Sequence, residues 1–360
     1  MYNINRPFSF HMELTDKCNA RCVQCERNFI DKDGVLKERP ELWKTEITIG
    51  QFKSIFKNYQ KQTSNLTFCG NFGDPLFAKD IFEITDYSYT NVLTPRGDIQ
   101  INTNGGYKSK EWWSEYGRLL KDKDHMIVFG IDGLEDTHHL YRVNTRFDKV
   151  IENAKAFIDA GGWARWSFIR FGHNQHQEDE ARQLAKKIGF ASFETSNTQR
   201  FHKNESIKYK WQGKDYAITR YDTSKIADKK AVQTNKMLQT NSQNYLKDRE
   251  KSRQENALQI SCIKEQQNDL YIDAKGYVYP CCWIGTYEYE KITGIDDDPW
   301  NPQLDGRVLN SCFDKDFREI LKESWFEHQL PESWETDPSH ICAKNCGKNI
   351  IRTIRNKEAL

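Results

Sequence analysis

Three cysteines close to the amino end have the spacing of ligands to an iron–sulfur cluster. Cys18, Cys22 and Cys25 form a C-x3-C-x2-C pattern on one short stretch of chain. Three thiolates on a compact loop can bind three of the iron atoms of a [4Fe–4S] cubane, whose ligands are most often four cysteines. The remaining iron then has no protein ligand, and it can hold a small molecule through an amine and a carboxylate.

The residues before these cysteines predict where the loop lies. Residues 8–14 alternate apolar and polar side chains, which is typical of a half-buried strand. Residues 15–17 break the alternation, so we expect the cysteines on a loop at the carboxyl end of that strand. Zinc is the alternative metal, but it needs a fourth ligand nearby. His11 lies on the strand itself, and no other Cys or His follows until Cys69.

The motif and its strand resemble those of the radical S-adenosylmethionine (SAM) superfamily, whose hallmark is this spacing after the first strand. The resemblance implies that the open iron chelates the methionine end of SAM. It also implies that one electron from the cluster cleaves the sulfonium, giving a 5′-deoxyadenosyl radical that abstracts a hydrogen atom from the substrate. Gln24 departs from the family, which usually has an aromatic or apolar residue before the third cysteine. We expect Gln24 to alter packing over the cluster without removing a ligand.

Length, composition and charge limit the class of protein. The chain has 360 residues, 37% of them hydrophobic and 29% charged, which is enough for two domains and a sizeable core. The sequence has neither a signal-peptide pattern nor an apolar run as long as a membrane span. We therefore expect a cytoplasmic protein without a membrane partner, whose ten cysteines bind metal or clusters and do not form disulfides. The net charge of +1 does not support a nucleic-acid partner.

Strand and helix patterns alternate through the first half of the chain. Strands are predicted in residues 8–14, 66–69, 98–103, 126–131, 166–171 and 190–194, and helices between them in residues 50–60, 78–89, 110–120, 147–160 and 178–187. Such alternation predicts parallel βαβ units with right-handed crossovers. The predicted fold class is therefore α/β: a partial (β/α)6 barrel of the radical SAM core type, with a small C-terminal domain of a β-hairpin and a helix that holds an auxiliary cluster.

Polar residues after the second and third strands resemble SAM contacts of the family. In βα barrels the carboxyl ends of the strands face the ligand. Residues 71–75 (Asn-Phe-Gly-Asp-Pro) are similar to the family's Gly-Gly-Glu-Pro segment, which implies that Gly73 and Asp74 hold the SAM amino group. A plain Gly-Asp-Pro turn is the alternative. Asn104 is implied as a contact to the ribose or the carboxylate.

Residues after the fourth and fifth strands extend the resemblance. Asp132 lies in a segment similar to the family's Ser-Ile-Asp-Gly, with Gly130 in place of the serine. Arg142 is a candidate to pair with the SAM carboxylate through two hydrogen bonds, and a solvated arginine on a helix face is the alternative. Asn174 follows the fifth strand, where related enzymes often have a SAM contact.

Residues 196–261 differ in composition from the rest of the chain. They contain fourteen Lys and Arg against seven Asp and Glu, together with several aromatic residues. One interpretation is a basic lid that attracts an anionic substrate. The other is a solvated linker with a helix over residues 237–258, and the pattern does not by itself support nucleic-acid binding.

A second set of cysteines follows that basic stretch. Residues 270–280 read as a hairpin that returns Cys281 beside Cys262, and Cys342 and Cys346 lie four residues apart on one helix face. The G-x4-C step that ends at Cys281 resembles the SPASM or twitch auxiliary-cluster domain of many radical SAM enzymes. The tail has six cysteines and lacks the C-x2-C-x5-C run, so the resemblance implies the twitch form, in which these four thiolates hold a second [4Fe–4S] cluster. A zinc ribbon is the alternative.

Three cysteines remain outside both sets. Cys69 reads as a core residue on a strand, and Cys282 as a buried neighbour of a ligand. Cys312 is a candidate catalytic residue, because radical SAM epimerases return a hydrogen atom from a lone cysteine opposite the radical. A buried apolar thiol is the alternative, and either Cys282 or Cys312 could replace an auxiliary ligand.

The resemblance implies a twitch-type radical SAM enzyme that oxidises, epimerises or cross-links a small molecule or peptide after abstracting a hydrogen atom. The predicted domains are residues 1–195 for the core, 196–261 for the lid or linker and 262–360 for the auxiliary domain. The predicted cofactors are the two clusters and SAM, and an external one-electron reductant of the flavodoxin or ferredoxin type is the predicted redox partner. The alternative is a non-catalytic zinc-binding interaction protein that uses the same cysteines.

Overall fold

The computed structural model describes residues 2–198, 200–201, 204–222, 260–286, 311–336, 340–346 and 356–360. The helix predicted over residues 237–258 lies outside them. The strands in these ranges are β1 (Phe8–Met12), β2 (Asn28–Ile30), β3 (Leu36–Glu38), β4 (Thr63–Phe68), β5 (Leu93–Thr103), β6 (His125–Gly130), β7 (Ala164–Arg170), β8 (Ser192–Asn197), β9 (Ser206–Trp211), β10 (Lys214–Thr219), β11 (Asp269–Ile272), β12 (Val278–Tyr279) and β13 (Asn356–Ala359).

The main sheet has the order β12-β11-β1-β4-β5-β6-β7-β8-β13. Strands β1 and β4 to β8 pair in parallel in their chain order, and they correspond to the six predicted strands. Buried apolar residues stand in register across this sheet, as in the row of Met12, Phe68, Ile101 and Ile127. The prediction of an α/β fold with a partial-barrel core is confirmed.

Helices lie between the parallel strands along the chain. They are α1 (Ile49–Phe56), α2 (Ile81–Tyr87), α3 (Lys110–Leu120), α4 (His138–Tyr141), α5 (Phe147–Asp159) and α6 (Glu178–Ile188). Thr48 and Gln51 form a capping box at the start of α1, and Gly189 ends α6 with a positive φ of 100°. The rings of Trp113 on α3 and Phe157 on α5 pack with their centroids 5.8 Å apart.

Two hairpins lie over the carboxyl end of the sheet, where the cysteine loop emerges. One is β2–β3 and the other is β9–β10, from the basic stretch. The N–H of Lys210 donates to the carbonyl of Gly34 at 2.7 Å, which joins the two hairpins. Buried residues of both, including Leu36, Tyr209 and Ile218, pack in one cluster with Cys22. The hairpins therefore exclude water from one side of the cysteine loop.

The C-terminal part of the chain extends the main sheet at both edges. Strand β11 pairs in parallel with β1, and β12 returns antiparallel to it as the predicted hairpin. Strand β13 pairs antiparallel with β8 at the other edge. The α-helices in the described ranges after β10 are α7 (Ile263–Gln266), α8 (Phe317–Ile320), α9 (Leu330–Thr336) and α10 (His340–Cys346). No helix in the described ranges has the length and apolar character needed to cross a membrane.

Candidate iron–sulfur and SAM site

The cysteine loop leaves β1 at the edge where the parallel strands end, and hydrogen bonds fix it there. The carboxylate of Asp16 accepts from the backbone N–H groups of Lys44 and Thr45 at 2.9 and 2.7 Å. The N–H of Arg21 donates to the carbonyl of Val143 at 2.8 Å. The loop is therefore held from two directions by contacts that involve none of the thiols.

The thiols of Cys18, Cys22 and Cys25 share one desolvated site. Cys22 is buried and the other two are half-buried. Burial raises the pKa of all three thiols, that of Cys22 to about 11. Cys22 further raises the pKa of Cys18, and Cys25 that of Cys22, so the thiols lie close enough to interact. Such thiols become thiolates when a metal centre displaces their protons.

Three guanidinium groups surround these thiols. Arg142 Nη1 lies 3.8 Å from Cys22 Sγ. Arg27 and Arg200 lower the pKa of the neighbouring thiols, against the larger effect of burial. A cubane with three thiolates carries a net negative charge, which these cations offset where water cannot. The residues present therefore fit a [4Fe–4S] cluster with three protein ligands.

The side chains are arranged differently from those of a mononuclear zinc site. Among the residues that the structure describes, no three Cys, His, Asp or Glu side chains converge on a point where a single ion would sit. His11, the candidate fourth zinc ligand, has its Nε2 2.9 Å from the carbonyl oxygen of Cys69. A cubane spreads its ligands over separate iron atoms, so the thiols of a cluster site need not converge in this way.

The turn after β4, at residues 70–74, packs directly on the start of the cysteine loop. Gly73 leaves no space for a side chain, because a Cβ there would lie 1.8 Å from the carbonyl oxygen of Thr15. The carboxylate of Asp74 is buried and accepts from the hydroxyl of Thr103 at 3.0 Å. The structure thus brings Gly73 and Asp74 to the loop, and it joins Asp74 to the end of β5.

Asn104 follows β5 and reaches both this turn and the thiols. Its Nδ2 lies 2.7 Å from Asp74 Oδ2, 2.9 Å from Asn19 Oδ1 and 3.6 Å from Cys18 Sγ. Its backbone N–H also donates to Asp74 at 2.7 Å. Asp74 therefore orients Asn104 towards the first cysteine of the motif.

Strand β6 ends beside the same loop and supplies the environment of Arg142. Asp132 is fully buried and accepts from Arg142 Nε and from the backbone N–H of Ile169, each at 2.6 Å. Gly130 makes room for the guanidinium, because a Cβ at this position would lie 2.4 Å from Arg142 Nη2. Arg142 therefore lies inside the site and not on a solvated helix face.

Asn174 is bonded within its own loop. Its Oδ1 accepts from the N–H of Phe171 at 2.7 Å, and its Nδ2 donates to the carbonyl of Ile169 at 2.9 Å. No hydrogen bond in the described ranges joins its side chain to the cysteine loop. A SAM contact at Asn174 stays a prediction.

Gln24 ties the cysteine loop to the chain that leaves β8. Its Oε1 accepts from the hydroxyl of Thr198 at 3.1 Å, and its backbone carbonyl accepts from Arg200 Nη1 at 2.7 Å. The polar side chain before the third cysteine is explained by the bond to Thr198, which an apolar side chain could not make.

Comparison with known proteins agrees with this geometry. Residues 12–188 match the family model described as the radical SAM superfamily. These residues form a radical SAM domain. No curated protein matches the sequence significantly.

Solved structures with a similar fold extend the comparison beyond the radical SAM domain. Streptococcus suis SuiB bound to S-adenosylmethionine has a TM-score of 0.55 at 13% identity, over 94% of this chain and 72% of that one. SuiB bound to the precursor peptide SuiA has a TM-score of 0.53 at 14% identity, over 92% and 67%. Native anSMEcpe with bound AdoMet and a peptide has a TM-score of 0.52 at 15% identity, over 94% and 89%. At these identities the likeness shows a shared fold.

Outside the radical SAM domain, the structure brings the four predicted C-terminal ligands to one cavity. Cys262, Cys281, Cys342 and Cys346 all line it. Cys346 lowers the pKa of the Cys262 thiol and Cys262 raises that of Cys346, so these two thiols lie close together. Much of the remaining wall is apolar and comes from Ile260, Pro280, Ile284, Trp334 and Ile341. Four thiols in such surroundings fit the full ligand set of a second cluster.

The three other cysteines are not among the residues that line this cavity. Burial raises the pKa of Cys282 to about 12, and the nearby Cys69 raises it further. Cys282 adjoins the ligand Cys281 in the chain but does not line the cavity. Cys312 is buried in the main hydrophobic core, and its N–H donates to the carbonyl of Gly276 at 2.8 Å. This is the position of a core thiol, and the role of Cys312 as a hydrogen donor stays a prediction.

Three charged residues of the site, Glu13, Arg27 and Arg200, were not predicted from the sequence. Glu13 is buried directly after β1 and accepts from the N–H groups of Phe72 and Gly73 at 2.7 and 2.8 Å. Arg27 is buried behind the third cysteine and donates to the carbonyl of Asp16 at 2.7 Å. For Glu13 the available signal was a charge between the apolar residues Met12 and Leu14 at the end of a strand, which is costly unless the group is paired. Arg27 lies between Glu26 and Asn28 and has no such signal.

Proposed function

We propose that this protein is a radical SAM enzyme whose cluster is held by Cys18, Cys22 and Cys25. The observation that carries the proposal is the grouping of these thiols, among three guanidinium groups, at the carboxyl ends of the parallel strands. The chemistry that the cluster supplies in this family is one-electron cleavage of SAM to a radical that abstracts a hydrogen atom from a substrate.

Residues of this chain would bind and orient SAM around that cluster. Gly73 and the turn that contains it would receive the amino group, with Asp74 and Asn104 fixing the polar groups beside the first thiol. Arg142 carries the positive charge suited to the SAM carboxylate, and Asp132 holds it in place. The hairpins β2–β3 and β9–β10 would exclude water, which protects a reactive radical from side reactions.

We further propose that Cys262, Cys281, Cys342 and Cys346 hold an auxiliary [4Fe–4S] cluster in a C-terminal domain from about residue 262, as in twitch-type enzymes. The cavity that these thiols line supports this assignment. The auxiliary cluster would accept or relay an electron, with a flavodoxin or ferredoxin as external reductant. The structural neighbours SuiB and anSMEcpe were solved with peptides, which makes a peptide the first substrate class to test, ahead of small molecules.

Anaerobic reconstitution tests the proposal. A radical SAM enzyme with two clusters should be brown, bind about eight irons and form 5′-deoxyadenosine from SAM when reduced. Replacing Cys22 by alanine should abolish 5′-deoxyadenosine and leave about four irons. Cys69→Ala is the matched control, because Cys69 lies in neither ligand set, and it should keep both properties. A colourless protein that binds zinc and leaves SAM intact would establish the non-catalytic alternative.

A further inference from the structure

The carboxylate of Glu13 joins the first cluster site to the C-terminal hairpin. Its side chain is buried, and both of its oxygens accept hydrogen bonds. Oε1 takes the N–H groups of Phe72 and Gly73 at 2.7 and 2.8 Å, while Oε2 takes the hydroxyl of Tyr271 at 2.6 Å. Phe72 and Gly73 belong to the turn at residues 70–74, and Tyr271 belongs to β11.

The other contacts of this turn leave it little freedom once Glu13 is in place. The guanidinium of Arg27 donates to the carbonyl of Phe72. The N–H of Asp74 donates to the carbonyl of Lys17 at 2.9 Å. Gly73 packs against the backbone at Thr15 without space for a Cβ. Glu13 adds to these restraints by accepting from two successive backbone N–H groups of the turn.

Contacts also hold the hairpin end of the link, at Tyr271, in place. Tyr271 is buried, and its ring packs edge-on against His11 of β1 with the centroids 5.1 Å apart. A second bond runs in parallel, from Nδ2 of Asn71 in the turn to the carbonyl of Cys282 at 3.2 Å. Cys282 adjoins the auxiliary ligand Cys281. Two hydrogen-bonded links thus connect the turn to the segment that carries the second set of thiols.

We propose that Glu13 is a positioning residue through which the C-terminal hairpin sets the turn that receives the amino group of SAM. The inference rests on the proposed function, because it takes residues 71–74 as part of the SAM site. Removing the hydroxyl of Tyr271 would leave a buried carboxylate oxygen unpaired, and Glu13 would turn to recover a partner. The N–H groups of the turn share the other oxygen of that carboxylate, so the turn would move with it.

The chain offers a matched pair of variants to test this. Tyr271 and Tyr279 lie opposite each other in the hairpin, both buried. Each hydroxyl donates to a carboxylate, that of Tyr271 to Glu13 and that of Tyr279 to Asp273 at 3.1 Å. Tyr271→Phe should weaken SAM binding to the reconstituted protein about tenfold, since Glu13 loses its partner on the hairpin and the turn moves with it. Tyr279→Phe should change it by less than about twofold, although it loses a similar bond.

The readouts are the SAM dissociation constant and the change in the EPR spectrum of the reduced cluster when SAM is added. A merely structural role would lower the thermal stability of both variants and leave both readouts as in the wild type. Equal SAM affinity in Tyr271→Phe and Tyr279→Phe would therefore overturn the inference. A wild-type protein that loads no cluster or binds no SAM would instead overturn the proposed function, and this inference with it.

Variants of Glu13 itself keep the test decisive if Tyr271→Phe does not load iron. Glu13→Gln retains the shape and an acceptor oxygen for both N–H groups, so it should bind SAM within about threefold of the wild type. Glu13→Asp retains the charge but is one methylene shorter and cannot reach the turn and Tyr271 together. It should bind SAM at least about tenfold more weakly. Wild-type affinity in Glu13→Asp would contradict the assignment.

Discussion

Replacing Gly130 by alanine should disrupt the ion pair that holds Arg142 beside the cysteine loop. The new Cβ would lie 2.4 Å from Nη2 and 2.8 Å from Cζ of Arg142. Ordinary contact between such atoms begins at about 3.4 Å, so the guanidinium must move by about 1 Å. Its Nε is now 2.6 Å from Asp132 Oδ2, and a movement of that size takes it beyond hydrogen-bond distance.

The energetic cost follows from the burial of the pair. Asp132 is fully buried and the side chain of Arg142 is 19% exposed. Losing a hydrogen bond to a charged group costs about 1.5–3 kcal/mol, and separating a buried ion pair costs up to about 5 kcal/mol. We expect Gly130→Ala to lower the free energy of unfolding by about 2–3 kcal/mol, since Asp132 keeps the N–H of Ile169.

Urea unfolding of the reduced, metal-free protein measures this cost, and a double-mutant cycle assigns its cause. In an Arg142→Met background the same substitution should cost less than about 0.5 kcal/mol, because the crowded group is gone. Gly50→Ala is the control: its Cβ would be 3.9 Å from the nearest atom, and alanine favours helix α1. An equal cost of Gly130→Ala in both backgrounds, or none in either, would refute the reasoning.

Further predictions concern stability and the second cluster. Burial raises the pKa of Glu13 from 4.5 to about 7. The folded protein therefore binds this proton more tightly than the unfolded chain, and the stabilisation is full below about pH 4.5 and lost as the pH rises through about 7. In urea unfolding, the free energy of unfolding of the wild type should fall by about 3 kcal/mol relative to that of Glu13→Gln across this interval. Thr48→Ala should lower the unfolding free energy by about 1 kcal/mol in the same assay, through loss of the capping box. Cys346→Ser should reduce bound iron from about eight to about four, while Cys282→Ser should keep about eight; equal iron in the two variants would contradict the ligand assignment. Cys312→Ala should keep turnover, and loss of deuterium uptake from D2O in that variant alone would instead establish the hydrogen-donor role.

Much of the fold and the cluster motif could be predicted because their determinants are local. The alternation in residues 8–14 and the helical periodicity of residues 110–120 are read within one element, and the structure has β1 and α3 there. Cys18, Cys22 and Cys25 lie on one loop, so their spacing already restricts how far apart the thiols can be. The prediction of a radical SAM domain is confirmed by the family match.

The C-terminal contacts could not be predicted in this way, because they join residues that are far apart in sequence. Cys281 and Cys282 are chemically identical neighbours, and the path of the chain after β12 decides that the first lines the cavity while the second does not. The parallel pairing of β11 with β1 joins residues that are far apart in sequence. No local pattern specifies which strand edge a distant hairpin will join, because many edges offer the same backbone groups.

By itself, therefore, the sequence determined the cluster motif, the order of strands and helices and the candidate ligands, since each depends on residues close together in the chain. The tertiary structure decided that Glu13 accepts a hydrogen bond from Tyr271 and that the guanidinium of Arg142 packs against Gly130. These contacts form only when separate elements bury polar groups against one another, and a buried charge takes whichever partner the packing brings within hydrogen-bond distance.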